Sequence, residues 1–91
     1  MDPIQYLYDN YAKIKFALQD EQAKTKMSNS DFIELRNYYK NMLSALLTSI
    51  DNVLRLGENS KKLTPLRERV QKIKNELSMC VSVEDFIKLD I

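Results

Sequence analysis

The sequence predicts an all-α protein, and three observations carry that prediction. One Gly and two Pro among 91 residues argue against an all-β chain, whose turns consume such residues. Apolar side chains recur at helical spacing along three stretches of the chain. Each stretch begins with residues that typically start a helix. We therefore expect one helical domain, 1–91, built as an up-down-up three-helix bundle with a short C-terminal helix or a kink from about residue 82.

The first helix is predicted at 3–26. Asp2 is a favourable N-cap, and the missing N–H of Pro3 costs nothing at the first helical position. The apolar residues of this helix form a stripe about 120° wide, which suits contact with one neighbouring helix. The stripe consists of Ile4, Leu7, Tyr8, Tyr11, Ile14 and Leu18.

The second helix is predicted at 29–56, with Ser28 as its cap and Gly57 as its left-handed exit. Its apolar residues span an arc of about 140° around Tyr39, and Tyr38, Ala45 and Leu56 widen that arc to about 200°. A helix that packs on one neighbour needs a stripe of only about 100°. The second helix is therefore predicted to lie at the centre, flanked on two sides. The main arc consists of Phe32, Leu35, Tyr39, Met42, Leu43, Leu46, Leu47, Ile50, Val53 and Leu54.

The third helix is predicted at 65–80, because Thr64-Pro65 repeats the cap-and-proline pattern of the chain start. This choice leaves 57–63 as the one obvious loop. At 1.5 Å per residue the third helix would be about 24 Å long, against about 40 Å for the second. The apolar stripe of the third helix consists of Leu66, Val70, Ile73, Leu77 and Cys80.

A short fourth helix is predicted at 83–90. Ser82 can cap it, and Val81 and Phe86 occupy the positions of a hydrophobic staple. Because the third helix is short, the segment 82–91 can pack back on the N-terminal half of the central helix. It can equally be offered to a partner.

Composition argues against catalysis and against a cofactor or metal. The chain has no His and a single Gly, which removes the commonest general base and any Gly-rich phosphate loop. Cys80 is expected to be a buried apolar residue, since no His can activate its thiol. The net charge of +1 gives no overall attraction to polyanions. Without a secretory stretch or an apolar run near the ~18 residues of a membrane span, we expect a cytoplasmic, reducing location.

Apolar residues outside the predicted core are the candidate partner-binding residues. Aromatic side chains in such positions are the type that anchors protein interfaces. We therefore expect a non-enzymatic protein-interaction module, such as an adaptor, an inhibitor or regulator, or an assembly subunit, that self-associates or binds another protein. The candidate residues are Tyr6, Phe16 and Ile33, with Val83, Phe86 and Ile87 as a second patch.

The alternative function is nucleic-acid binding by the basic segment 61–74, in which Glu68 is the only acidic residue. On the helical wheel the basic residues of its helical part divide between the two flanks of the apolar stripe, so the sequence does not predict a continuous basic track. A lipid-surface role for the C-terminal segment ranks last, because its acidic residues would be repelled by anionic membranes. The basic residues are Lys61, Lys62, Arg67, Arg69, Lys72 and Lys74.

Overall fold

The protein is a bundle of three long helices with a short fourth helix. A computed structural model describes residues 2–24, 26–57 and 60–91. The helices are α1 (Pro3–Ala23), α2 (Asn29–Leu54), α3 (Ser60–Met79) and α4 (Val83–Ile87). α2 packs against α1 and α3, while α1 also contacts α3 and α4. The predicted all-α three-helix bundle with α2 at its centre is confirmed.

Local sequence signals start α1, α2 and α4 as expected. Asp2, Ser28 and Ser82 each accept a backbone N–H of the following turn through a side-chain oxygen, at 3.0, 3.0 and 3.3 Å. Gly57 has φ +77°, the left-handed conformation that glycine adopts without strain. α1, α2 and α4 end at Ala23, Leu54 and Ile87, somewhat earlier than their predicted ends at 26, 56 and 90.

The start of α3 differs from the prediction. α3 begins at Ser60 and contains Pro65, so the predicted start at Pro65 is wrong. Proline near a helix start removes only one helical hydrogen bond. Leu63 is fully buried, and as a helical residue it extends the apolar stripe by one step before Leu66. The predicted loop 57–63 is correspondingly shorter, and its residues 58–59 lie outside the described residues.

The core is the shared apolar face of the three long helices. The hydroxyl of Tyr8 on α1 donates to the carbonyl of Lys62 at 2.6 Å, which ties α1 to the beginning of α3. Among the described helices, none is long and apolar enough to cross a membrane. The buried residues are Ile4, Leu7, Ile14, Leu18, Phe32, Tyr39, Leu43, Leu46, Leu47, Ile50, Leu63, Leu66, Val70, Ile73, Leu77, Cys80 and Phe86.

The apolar arc of α2 is only partly covered. α1 and α3 bury its middle, as the two-sided prediction requires. The three residues that widen the arc, Tyr38, Ala45 and Leu56, are exposed. These residues lie on one side of the arc, at about −100° to −120° from Tyr39. One shoulder of α2, on the side that faces α1, therefore retains apolar surface.

Candidate functional site

An open groove lies between α1 and α2, on the uncovered shoulder of α2. Its volume is ≈ 350 Å³. Ile14 and Leu46 form a buried floor, and Tyr6 stands at the rim with 53% of its surface exposed. We call it the α1/α2 groove. The residues that line it are Tyr6, Asn10, Lys13 and Ile14 of α1 and Met42, Ala45, Leu46 and Ser49 of α2.

Helical periodicity explains why these residues meet along the α1/α2 groove. Met42, Ala45 and Ser49 follow one another at steps of three and four, so they share one face of α2. Ala45 and Ser49 have small side chains that project little from α2, so the groove stays open on this side. Tyr38 lies one turn before Met42 on the same face and packs edge-on against Tyr39, with ring centroids 5.3 Å apart. The uncovered strip of α2 thus runs beyond the α1/α2 groove toward the start of the helix.

The predicted partner-binding residues of α1 and α2 are exposed, but they do not form one surface. Phe16 is 62% exposed and Ile33 is 44% exposed. Of the three predicted residues, Tyr6 alone lines the α1/α2 groove. Phe16 lies about 80° further round α1 than Tyr6, on the side away from the core. The structure therefore separates Tyr6 and Phe16 into two different surfaces.

The predicted second patch is not a continuous surface. Phe86 is fully buried, because α4 turns it onto Phe32 of α2 with ring centroids 5.3 Å apart. Val83 is half-buried and packs against the core, while Ile87 is about half exposed. Phe86 is therefore a core residue rather than a surface residue, and the segment after Ser82 packs back on the bundle.

Polar side chains that the sequence analysis missed hold the C-terminal segment. The Gln22 amide donates to the carbonyls of Phe86 and Leu89, both at 2.9 Å. Gln19 donates to the carbonyl of Ile91 at 2.6 Å. Gln22 continues the apolar stripe of α1 one turn after Leu18, and Gln19 borders that stripe. Their position was a signal of contact, but it does not reveal which backbone they contact.

Arg36 links the start of α2 to the end of α3. Its Nη1 donates to the carbonyl of Cys80 at 2.7 Å, and its guanidinium lies 5.9 Å from the centre of the Phe32 ring. Within the described part of the chain, its buried Nε has no hydrogen-bond partner. Arg36 therefore joins α2 to the end of α3 and is a structural residue rather than part of a surface site.

Cys80 is buried, as predicted. Its thiol donates to the carbonyl of Glu76 at 3.4 Å. Burial raises the pKa of this thiol, and the nearby carboxylate of Asp85 raises it further. A raised pKa keeps the thiol protonated and unreactive at neutral pH. In the ranges that the structure describes, no cluster of His, Cys, Asp or Glu could hold a metal ion.

The basic residues of α3 lie on two sides of the helix. Arg67 faces α2, where its Nε bonds Asp51 Oδ1 at 2.7 Å, and this partner raises the pKa of the guanidinium. Arg69 and Lys72 instead border a shallow depression next to Tyr11 of α1. Of the remaining basic residues, Lys61 and Lys62 are exposed and Lys74 is half-buried.

Comparisons with known proteins do not assign this chain to a family. No protein-family model matches the chain, and neither a curated protein nor a solved structure matches it.

Proposed function

We propose that this protein is a non-enzymatic interaction module that receives an amphipathic helix of another protein in the α1/α2 groove. The observation that supports this proposal is the apolar shoulder of α2 that α1 and α3 leave uncovered. An apolar face of this kind, rimmed by polar residues, is typical of protein interaction sites. Along this face Met42, Ala45 and Ser49 repeat every three or four residues, and such rows form the ridges and grooves through which helices pack.

The chemistry of the α1/α2 groove suits a helix with aliphatic anchors. Met42 is flexible and polarisable, so it can adapt to side chains of different shape. The small side chains of Ala45 and Ser49 let a partner helix approach α2 closely. Tyr6 adds an aromatic rim with a polar end, and Lys13 adds a positive charge. We expect the partner helix to carry aliphatic residues at i, i+3 or i+4 and i+7, with an acidic residue facing Lys13.

The proposal is tested by blocking the α1/α2 groove. A carboxylate in the groove would be desolvated by an incoming apolar face, so the Ala45→Glu variant should lose the partner that the wild-type chain recovers from its native cell. The matched control is Asn37→Glu, at an exposed position of α2 about 130° round the helix from the centre of the groove-lining residues. It should retain the partner. Binding of the purified partner by calorimetry then measures the difference, with an expected loss of about tenfold or more.

Cross-linking gives the position of the contact. A photo-cross-linking amino acid at Ser49 should label the partner, and the same amino acid at Asn37 should not. Equal binding by both Glu variants would contradict the proposal. So would a partner that is a nucleic acid, recognised by a steep fall in affinity between about 50 and 200 mM salt. Apolar helix association should hardly change over that range.

A further inference from the structure

The outer face of α1 presents an exposed aromatic ring among charged side chains, which include the exposed Asp9 two turns before Phe16 and about 20° from it on the helical wheel. Phe16 is 62% exposed near the middle of α1. Lys13 and Asp20 lie one turn before and one turn after it, within about 60° of it on the helical wheel. Both are exposed, and in the described part of the chain neither takes part in an ion pair. We call Lys13, Phe16 and Asp20, with the adjacent Ala12, the Phe16 face.

We infer that the Phe16 face binds a second copy of this chain, with the two α1 helices antiparallel about a two-fold axis near Phe16. Lys13 and Asp20 lie at nearly equal distances on either side of Phe16, so the axis brings Lys13 of each copy opposite Asp20 of the other. The pairing is reciprocal, as a two-fold interface requires. The two Phe16 rings meet at the centre, where water is excluded most completely.

The charge order selects the antiparallel arrangement. Lys13 and Asp20 lie on the same flank of Phe16 on the helical wheel, so a parallel two-fold pair would place the charges of the two copies on opposite sides of the contact. The parallel alternative therefore lacks both ion pairs that the antiparallel arrangement forms. Ala12 borders Phe16 on its other side and is small enough to let the helices approach within the 8–10 Å of ordinary helix packing.

Only one helix of each copy contributes to this interface. The buried area is therefore below the ~1,200 Å² of a standard interface, and we expect a dissociation constant of about micromolar or weaker. The centre of the Phe16 face lies about 100° round α1 from the α1/α2 groove. Lys13 borders both of them.

The test is a charge-reversal cycle measured by sedimentation equilibrium at protein concentrations up to about 1 mM. The wild-type chain should dimerise. Lys13→Glu and Asp20→Lys should each weaken the dimer by about tenfold, because each creates two like-charge contacts. The double variant K13E/D20K restores opposite charges and should return to within about threefold of wild type. Phe16→Ala should abolish the dimer.

Controls separate this inference from folding defects and from the proposed function. Both charged positions are exposed, so circular dichroism should show unchanged helix content in every variant. Tyr38→Ala removes another exposed aromatic residue and should leave the dimer intact, as should Ala45→Glu in the α1/α2 groove. A wild-type chain that stays monomeric would overturn the inference. A dimer insensitive to the single reversals, or a double variant without recovery, would overturn it as well.

Discussion

The rings of Phe32 and Phe86 lie 5.3 Å apart between centroids and are tilted by 31°. Phe32 belongs to the first turn of α2 and Phe86 to α4, and both side chains are fully buried. A five-residue helix such as α4 cannot form by itself, because nucleation is unfavourable and few hydrogen bonds follow. The contact between the two rings therefore helps to hold α4 in place, together with the hydrogen bonds that Gln22 donates.

Removing the Phe86 ring should destabilise the whole bundle. Phe86→Ala leaves a cavity beside Phe32, and such changes cost about 3–5 kcal/mol in the free energy of unfolding. Urea denaturation measures this loss. Ile87→Ala is the matched control, because the neighbouring side chain is about half exposed and should cost less than about 1 kcal/mol. Similar losses for both variants would mean that Phe86 is not a core anchor.

Gln22 should control the local stability of the C-terminal segment. Gln22→Ala leaves the carbonyls of Phe86 and Leu89 without the donor that now bonds both of them. The expected cost is about 1–2 kcal/mol. Hydrogen exchange should become faster in 83–91 before it does so in α3.

A suitable control for this variant is Gln5→Ala. The side chain of Gln5 is exposed and donates to Asp9 of its own helix, at 2.9 Å. If exchange in 83–91 is the same in both variants, Gln22 does not hold the segment.

The free energy of unfolding should fall at alkaline pH, and the thiol of Cys80 should be the first group to contribute to this fall. Burial raises the pKa of this thiol above the ordinary value of 9.0. The thiol therefore loses its proton at a lower pH in the unfolded chain than in the folded chain. The protonated thiol therefore contributes its full stabilisation of the folded state below about pH 9. This contribution decreases as the pH rises through the pKa that the thiol has in the folded state. Burial also raises the pKa of Tyr11 and Tyr39 above 10.0, which extends the decrease.

Urea unfolding as a function of pH checks this prediction. The Cys80→Ala variant removes the thiol, so its free energy of unfolding should begin to fall at higher pH than in the wild-type chain. Alkylation by iodoacetamide should also be slow in the native protein and fast in urea. Equal alkylation rates would show that Cys80 is accessible.

Gly57 should be replaceable only at the cost of backbone strain. Its φ is +77°, and a Cβ at this position would have no atom of the described residues within 4 Å, apart from its chain neighbours. Gly57→Ala should therefore lower the free energy of unfolding by about 1–2 kcal/mol through conformation alone. Gly57→Asn should cost less, because Asn tolerates the left-handed region. Thermal unfolding compares the two variants, and equal melting temperatures would contradict this explanation.

Much of the local structure could be predicted from the chain. The caps at Asp2, Ser28 and Ser82 depend on residues within one turn, so a short stretch of sequence contains all the information. The exposure of Tyr6 and Phe16 also follows from their angle on α1 alone. The start of α3 could not be predicted in this way, because the burial of Leu63 in the core outweighs the local preference at Pro65.

The candidate site was predictable only in part. Periodicity showed that α2 has more apolar surface than one neighbour can cover, which is a property of α2 by itself. It could not show that Ala45 would be left uncovered beside Tyr6, or that Phe86 would be buried against Phe32. Those outcomes depend on how separate helices pack, and packing joins residues that are far apart in the chain. Local patterns therefore determined the helices and their faces, while contacts between helices determined which of those faces stay open to a partner.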